Sequence, residues 1–386
     1  MVNIMTEKIK VLYIAGRVNT RNGAFHSLLS NVKEFKKSDV EPIVLIHKHG
    51  DTEEELKKAG VEYRIIPYEG CTVPADKPSR IKGMIKSVIN MVQEKKIEKI
   101  IRDENIDLVH INVSTTSIGA KSALKLGKPL VWHVREFLEE DVNLTYINRR
   151  KTKMLLQKAN MMIAISEAVA KHFREEYQIN RIVTVYNGIN FENLLPVKEI
   201  DKNQSVIKIA LVGRIVPTKG QIEALKALKI VREKGYNVCL SIVGDSGNEN
   251  YYQMIKKYIE SNDLEQCVLL VPHKKDLRQV WKETNMALIC STKEGFGRVT
   301  AEFMLNGVPV IGANTGATPE LLKENRGLLY EYGDENDLAN KIMKAINETD
   351  LTLRMAQDAQ KYAKEKFTAN YCAQQIEKVY RQVLND

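Results

Sequence analysis

The stretch "IALVGRIVPTKGQIEALKAL", Ile209–Leu228, decides the fold. An apolar, β-type run closes at Gly213, a loop carrying Arg214 and Lys219 follows, and a helical pattern starts after Gly220. A strand that passes through a short loop into a helix is the repeating unit of a parallel sheet covered by helices. The same alternation extends in both directions over almost the whole chain. The second half continues it in "VCLSIVGD", "CVLLVP", "MALICS" and "VPVIGAN"; the first half has "KVLYIAG", "PIVLIHK", "EYRIIP", "DLVHIN", "PLVWHV", "MMIAIS" and "IVTVYNG". Between the two series lies "NGINFENLLPVKEIDKNQSVIK", polar and weakly periodic, with one proline, which marks a boundary. The expected architecture is α/β: two Rossmann-like, doubly wound parallel-sheet domains at 1–190 and 191–365. A terminal amphipathic helix at 366–386, with Tyr371, Ile376, Val379, Tyr380 and Val383 apolar, is expected to pack back on the first domain.

Composition agrees with two domains. At 386 residues and 44% hydrophobic, the chain exceeds the size at which one core keeps growing. It has no run of about 18 or more apolar residues, and its opening lacks the apolar core of a secretory leader, so a cytoplasmic protein without a spanning segment is expected. Cys71, Cys239, Cys267, Cys290 and Cys372 are odd in number and form no C-x-x-C pair, which reads as reduced thiols. Of the formal charge of +9, residues 1–200 hold +7 (32 Lys+Arg against 25 Asp+Glu). No basic motif interleaved with aromatics accompanies this charge, so nucleic acid is not an expected partner.

Open parallel sheets bind ligands beyond the carboxyl ends of their strands, so the residues at which each run stops are the informative ones. Gly213, Arg214, Lys219 and Gly220 combine a helix N-terminus with two cations, a combination that suits phosphate oxygens. Neither a G-x-x-x-x-G-K-[ST] loop nor a strand followed by G-x-G-x-x-G is present, which argues against a P-loop enzyme and a dehydrogenase. In "STKEGFGRVTAEFMLNGVPVIGAN", Ser291–Asn314, Glu294 stands at the sheet edge, Gly295 and Gly297 allow close backbone approach, and a helix is predicted from about Arg298 with Glu302 one turn in. Carboxylates accept hydrogen bonds from sugar hydroxyls, and the helix start between them suits phosphate, so a nucleotide sugar satisfies all three. A glycosidase pair would need the two carboxyls to face each other across a bond. No metal cluster or D-x-D is evident, and neither a metal nor a cofactor is expected.

These residues resemble the signature of the retaining glycosyltransferases of group 1, or family 4. The E-x7-E spacing matches Glu294 to Glu302, the GR-x4-KG pattern matches Gly213, Arg214, Lys219 and Gly220, and "GVPVIGANTGATPELL" is similar as well. The resemblance implies the GT-B fold, with the two domains facing across a cleft. It assigns Arg214 and Lys219 to the donor diphosphate, Glu302 to the ribose hydroxyls and Glu294 to the transferred sugar. Backbone N–H groups at Phe296 and Gly297, and the adjoining Arg298, Val299 and Thr300, complete the donor site. In the first domain it implies that His133 of "VWHVREF" faces the sugar, although Val134 stands where the family often has an acidic residue. It also implies that Gly23 lets the first loop approach the phosphates, and that the reaction is a front-face substitution. The base, by default uracil, is expected near His273 and Lys274. Two alternatives share the architecture, a nucleotide-sugar epimerase and a non-catalytic sugar-nucleotide-binding subunit. The implied acceptor is a glycan or a lipid-linked precursor in surface polysaccharide or glycolipid assembly.

The uneven charge has a focus in "KPSRIKGMIKSVINMVQEKKIEKIIR", Lys77–Arg102, with eight basic residues against two acidic. Ile81, Met84, Ile85, Val88, Ile89 and Val92 are spaced for one helical face. That spacing predicts a helix packed on its sheet with a solvated basic side. Together with "RRKTKMLLQK", Arg149–Lys158, and a lipid-linked acceptor, it also suggests peripheral contact with an anionic membrane surface.

Overall fold

A computed structural model describes residues 8–386 apart from Arg21, Asp141, Glu192, Asn193, Lys202, Asn203 and Lys275; at Arg80 only the backbone is described. The first seven residues, read above for a leader, lie outside the described residues. The chain divides into two compact units, Met1–Asn190 with Phe367–Asp386, and Phe191–Lys366.

In the first unit, β1 (Ile9–Ile14), β2 (Val40–Ile46), β3 (Glu62–Ile65), β5 (Leu108–Ile111), β6 (Leu130–Val134), β8 (Met161–Ala164) and β9 (Ile182–Thr184) form one sheet in the order β3-β2-β1-β5-β6-β8-β9. All its pairings are parallel, with registers such as Val11 opposite Leu108 and Val131 opposite Met161. These are the seven runs expected from the sequence. Their Val and Ile content suits strands covered on both faces, and Val11, Val44, Leu108, Val131 and Ile163 are completely buried. An antiparallel pair was not anticipated: β4 (Thr72–Pro74) with β7 (Leu144–Tyr146). The helix Ala369–Asn385 closes the core of this unit, burying Cys372, Ile376 and Tyr380 against Val32, Phe35 and their neighbours.

In the second unit, β10 (Ile207–Val212), β11 (Val238–Val243), β12 (Val268–Val271), β13 (Met286–Ile289), β14 (Val310–Ala313) and β15 (Leu328–Tyr330) form a parallel sheet in the order β12-β11-β10-β13-β14-β15. The helix Gln221–Glu233 covers it with Ala224, Leu225, Leu228 and Val231, a spacing that lines one helical face. β15, unlike the other five strands, was not expected.

One expectation fails. The helix Arg80–Asp103 does not pack on the sheet through the apolar row noted in the sequence: Ile81, Met84, Ile85, Val88 and Val92 are exposed and Ile89 is half-buried, while Met91, outside that row, is exposed beside them. The side that meets the body of the unit carries Gly83, Lys86, Asn90 and Glu94, followed by the buried Ile97 and Ile101. Lys86 Nζ donates to the Thr72 carbonyl at 3.0 Å, and Asn90 exchanges hydrogen bonds with the Glu69 backbone at 2.8 and 2.9 Å. The Glu94 carboxylate accepts from the N–H groups of Gly119 and Ser122. The apolar face therefore changes sides along one helix, because its first half is anchored by polar groups and only its second half by burial.

Candidate active site

Strand order in the second unit fixes where a ligand can bind. From β10 the chain moves outward to β11 and β12 and then returns to β13 on the other flank of β10. The loops after β10 and β13 therefore flank the topological switch point, where open α/β sheets open a crevice. Each brings an expected charge to it. Lys219 Nζ lies 2.5 Å from Glu294 Oε1, and Ser291 Oγ donates to the same oxygen at 2.6 Å. The two side chains keep 23% and 19% exposure, so the pair is sheltered yet reachable.

Backbone contacts lock this pair in place. The Thr292 N–H donates to the Thr218 carbonyl at 3.0 Å. Gly220, at φ +66°, comes so close to the end of β13 that a Cβ there would stand 2.1 Å from the Cys290 carbonyl oxygen. Only glycine fits both that space and that conformation. On the other side, Gly316, at φ +54°, would bring a Cβ within 2.5 Å of the Glu294 nitrogen, and the Ala317 N–H donates to the Glu294 carbonyl at 2.9 Å. Glu294 is thus held between the loops after β10 and β14.

The second carboxylate belongs to the helix Arg298–Leu305, which starts from Gly297 with no side-chain cap. A bare helix start leaves N–H groups and a positive dipole end for an anion. Arg298 Nε donates to Glu302 Oε1 at 2.9 Å. Burial pushes the Glu302 carboxyl above the usual range, and the Arg298 guanidinium only partly offsets this. Two donors here, Arg298 Nη1 and Thr300 Oγ1, are buried without a hydrogen-bond partner among the described residues. Buried polar atoms are nearly always satisfied, so such orphans mark a place where something else bonds.

The remaining predicted residues are placed as follows. Arg214 is exposed and has no ion-pair partner among the described residues; its carbonyl accepts from Gln221 Nε2 at 2.9 Å. Gly213 ends β10, its N–H bonded to the Val243 carbonyl at 2.9 Å. Phe296 and Gly297 are buried and Val299 half-buried. His273 is exposed in the loop after β12, its N–H donating to Asp245 Oδ1 at 3.0 Å. Asp245 ends the run "VCLSIVGD" and was given no role; through this bond it ties the loops after β11 and β12 together. Among the described residues no cluster of His, Cys, Asp and Glu could hold a metal ion.

In the first unit, Gly23 is exposed at the start of the helix Gly23–Phe35, which Asn22 caps by accepting from the Ala24 N–H at 2.8 Å. His133 lies at the carboxyl end of β6, the place expected for it. It is fully buried in β6, 5.5 Å from His110 between ring centroids and 3.2 Å from Arg135 Nη2, with Nε2 unpaired. Burial first, then the Arg135 charge, lower both histidines well below their ordinary pKa and keep them neutral. Arg135 is itself buried, donating to the Asn112 carbonyl at 2.8 Å, Asn112 Oδ1 at 2.7 Å and Asn187 Oδ1 at 2.6 Å. Glu136 accepts from Ser114 Oγ at 2.7 Å. His110, His133 and Arg135 thus form a buried polar cluster at the carboxyl ends of β5 and β6.

Comparison with known proteins places the chain in a family. The family model described as glycosyl transferases group 1 matches residues 196–365, and that described as glycosyltransferase family 4 matches residues 21–193. The chain is 27% identical over 305 residues to an uncharacterized glycosyltransferase of Methanocaldococcus jannaschii, covering 77% of this chain and 82% of that one. It is 31% identical over 212 residues to the capsular polysaccharide biosynthesis glycosyltransferase CapM of Staphylococcus aureus, covering 52% and 54% of the two chains. Among solved structures, Anabaena HepE in complex with UDP-glucose superposes with a TM-score of 0.74 at 23% identity, over 97% of this chain and all of that one. The two family matches together span most of the chain, and it belongs to the group 1 glycosyltransferases, with the GT-B fold of two parallel-sheet α/β domains.

Proposed function

We propose that this enzyme transfers a sugar, with retention of anomeric configuration, from a nucleoside-diphosphate donor to a glycan or lipid-linked acceptor in surface polysaccharide or glycolipid assembly. UDP is the favoured nucleotide. The observation that carries this reading is the Lys219–Glu294 pair at the switch point, with Arg214 on the same loop and the uncapped helix start beside it. The presence of UDP-glucose in the HepE structure and the capsule assignment of CapM support the donor and acceptor classes.

In this reading Arg214 and Lys219 meet the diphosphate, and the helix start at Arg298–Thr300 takes up oxygens beside it. Glu302 accepts from the ribose hydroxyls and Glu294 from the sugar, while His273 lies by the base. The bond between the anomeric carbon and the β-phosphate oxygen breaks as the acceptor oxygen bonds to the same carbon from the same face. The departing phosphate takes the acceptor's proton. Both glutamates already sit in ion pairs, so the protein's main contribution is stabilising charge on the leaving group. No metal is assigned a role.

A screen of UDP- and GDP-sugars for slow hydrolysis tests this directly. We expect one UDP-sugar to release UDP, with Lys219→Ala slowing the release about a hundredfold or more. Interconversion of the sugar without nucleotide release would point to an epimerase instead, and nucleotide binding without turnover of any donor would overturn catalysis.

A further inference from the structure

The exposed apolar row on the helix Arg80–Asp103 requires an occupant. Its six members range from 53% exposure at Val92 to 73% at Ile81, and they make up half of the large hydrophobic residues exposed among the described residues. Single exposed apolar residues are ordinary, whereas a continuous row of them marks a contact surface. The residue spacing makes this row one stripe along the helix. The opposite side is fixed to the unit through Gly83, whose backbone lies against Ile147, and through Lys86, Asn90 and Glu94. The stripe therefore cannot turn inward without breaking these bonds.

Charge identifies what covers it. The stripe continues, over the next two turns of the same face, into the exposed Lys95, Lys96 and Lys99. Lys82 is exposed near its start, and none of the four has an ion-pair partner among the described residues. Below the stripe opens a hollow lined by Asn90, Met91, Glu94, Lys121, Asn148 and Lys151. Lys121 and Lys151 approach each other there, and the Glu94 carboxylate, which accepts from the N–H groups of Gly119 and Ser122, interacts with both. Two ammonium groups against one carboxylate leave the hollow net positive and suited to an anion. Beside Lys151, the helix Arg149–Gln157 exposes Met154 at 52% together with Arg150. A protein partner or a second copy of this chain would need acidic groups to answer so many cations. An apolar stripe rimmed by lysines matches the interface of a bilayer with anionic headgroups.

We propose that the outward stripe of this helix inserts into the interfacial layer of an anionic lipid bilayer, with Lys82, Lys95, Lys96 and Lys99 on headgroup phosphates and the Lys121–Lys151 hollow receiving one phosphate. This surface belongs to the first unit and shares no residue with the donor site, so vesicle binding and nucleotide binding can be read separately. The test is co-sedimentation of the full chain with vesicles of phosphatidylcholine alone or mixed with phosphatidylglycerol. Binding is expected only to the mixed vesicles and should weaken as salt is added. Replacing Ile85 and Val88 together by serine should weaken it about tenfold or more, through lost apolar burial. Replacing Lys95, Lys96 and Lys99 together by glutamate should weaken it about a hundredfold or more. UDP affinity should be unchanged in both variants, which shows that they fold. Equal binding to neutral and anionic vesicles, or none at low salt, overturns the proposal. So does a dimer in light scattering that the serine pair dissociates while lipid has no effect.

Discussion

The two units share a sheet architecture but treat charge at the carboxyl ends of their strands in opposite ways. In the second unit, Lys219–Glu294 and Arg298–Glu302 are ion pairs with partial exposure, held by tight backbone contacts at Gly220 and Gly316. In the first, His110, His133 and Arg135 are buried, and Arg135 is bonded to neutral oxygens. Surface ion pairs contribute little to stability and can exchange partners with an anionic ligand. Buried polar networks are costly to disturb and fix strand ends in place. In the proposed reading the same fold thus provides a ligand-exchanging edge in one unit and a rigid polar clamp in the other.

The largest expected effect tests the exchanging edge. Arg214→Ala and Lys219→Ala should each lower turnover about a hundredfold or more, as removal of one charge-stabilising donor does elsewhere. Rates near wild type in both would remove the assignment of this edge to the donor diphosphate. The clamp should respond in a different currency. Arg135→Met should cost about 2–4 kcal/mol in urea unfolding by stranding the buried Asn112 and Asn187 oxygens, with UDP affinity unchanged in calorimetry. A parallel loss of affinity would mean that the clamp also touches the ligand. A smaller effect separates the carboxylates: Glu302→Gln should weaken UDP binding about tenfold, whereas Glu294→Gln should slow transfer more than it weakens UDP binding. Equal losses of affinity would contradict their division between ribose and sugar.

The smallest effect concerns pH. The folded-state pKa of Glu302 is raised, so its proton is taken up at higher pH than by a free glutamate. With Glu302 on the ribose as proposed, binding needs its carboxylate; UDP affinity should therefore fall as pH drops through that raised pKa, before ordinary carboxylates titrate. The sign for stability is opposite. Between the unfolded and the folded pKa the native state holds the extra proton, so this group favours folding less as pH rises. Glu302→Gln should flatten the affinity profile, and a profile unchanged by that substitution would place the titration elsewhere.

Much of the exchanging edge was legible in the sequence because its chemistry sits in loops with diagnostic spacing. Gly213, Lys219, Gly220 and Glu294 all fall where runs end, and Arg298 and Glu302 are four apart, the separation that pairs them on one helix. The contact of Gly316 with Glu294 was not legible, since it joins two loops across β14. The clamp was hidden for another reason. β6 is buried on both faces, so its apolar pattern located His133 at the strand end but carried no sign of the bonds that Arg135 makes to Asn112 and Asn187. In the basic helix, one sequence pattern contained two apolar faces, the outward stripe and the inward Ile97 and Ile101. Spacing alone does not reveal which of them meets the sheet. β4, β7 and β15 are three residues each, too short for alternation to register; β9 is as short but was legible because it opens the β-branched run "IVTV".

The division of the chain also sets an order of assembly. The second unit, Phe191–Lys366, is continuous, so everything its core needs has been synthesised once Lys366 has been added. The first unit begins the chain but borrows Phe367–Asp386 from its end, and its core includes Ile376 and Tyr380, the latter 2.7 Å from His110 Nδ1. A growing polypeptide therefore carries an incomplete first unit past the whole of the second, and the domain made first is finished last. Until the final helix docks, Val32, Phe35 and His110 lack their partners, which makes that interval the one in which the nascent enzyme depends most on protection from aggregation.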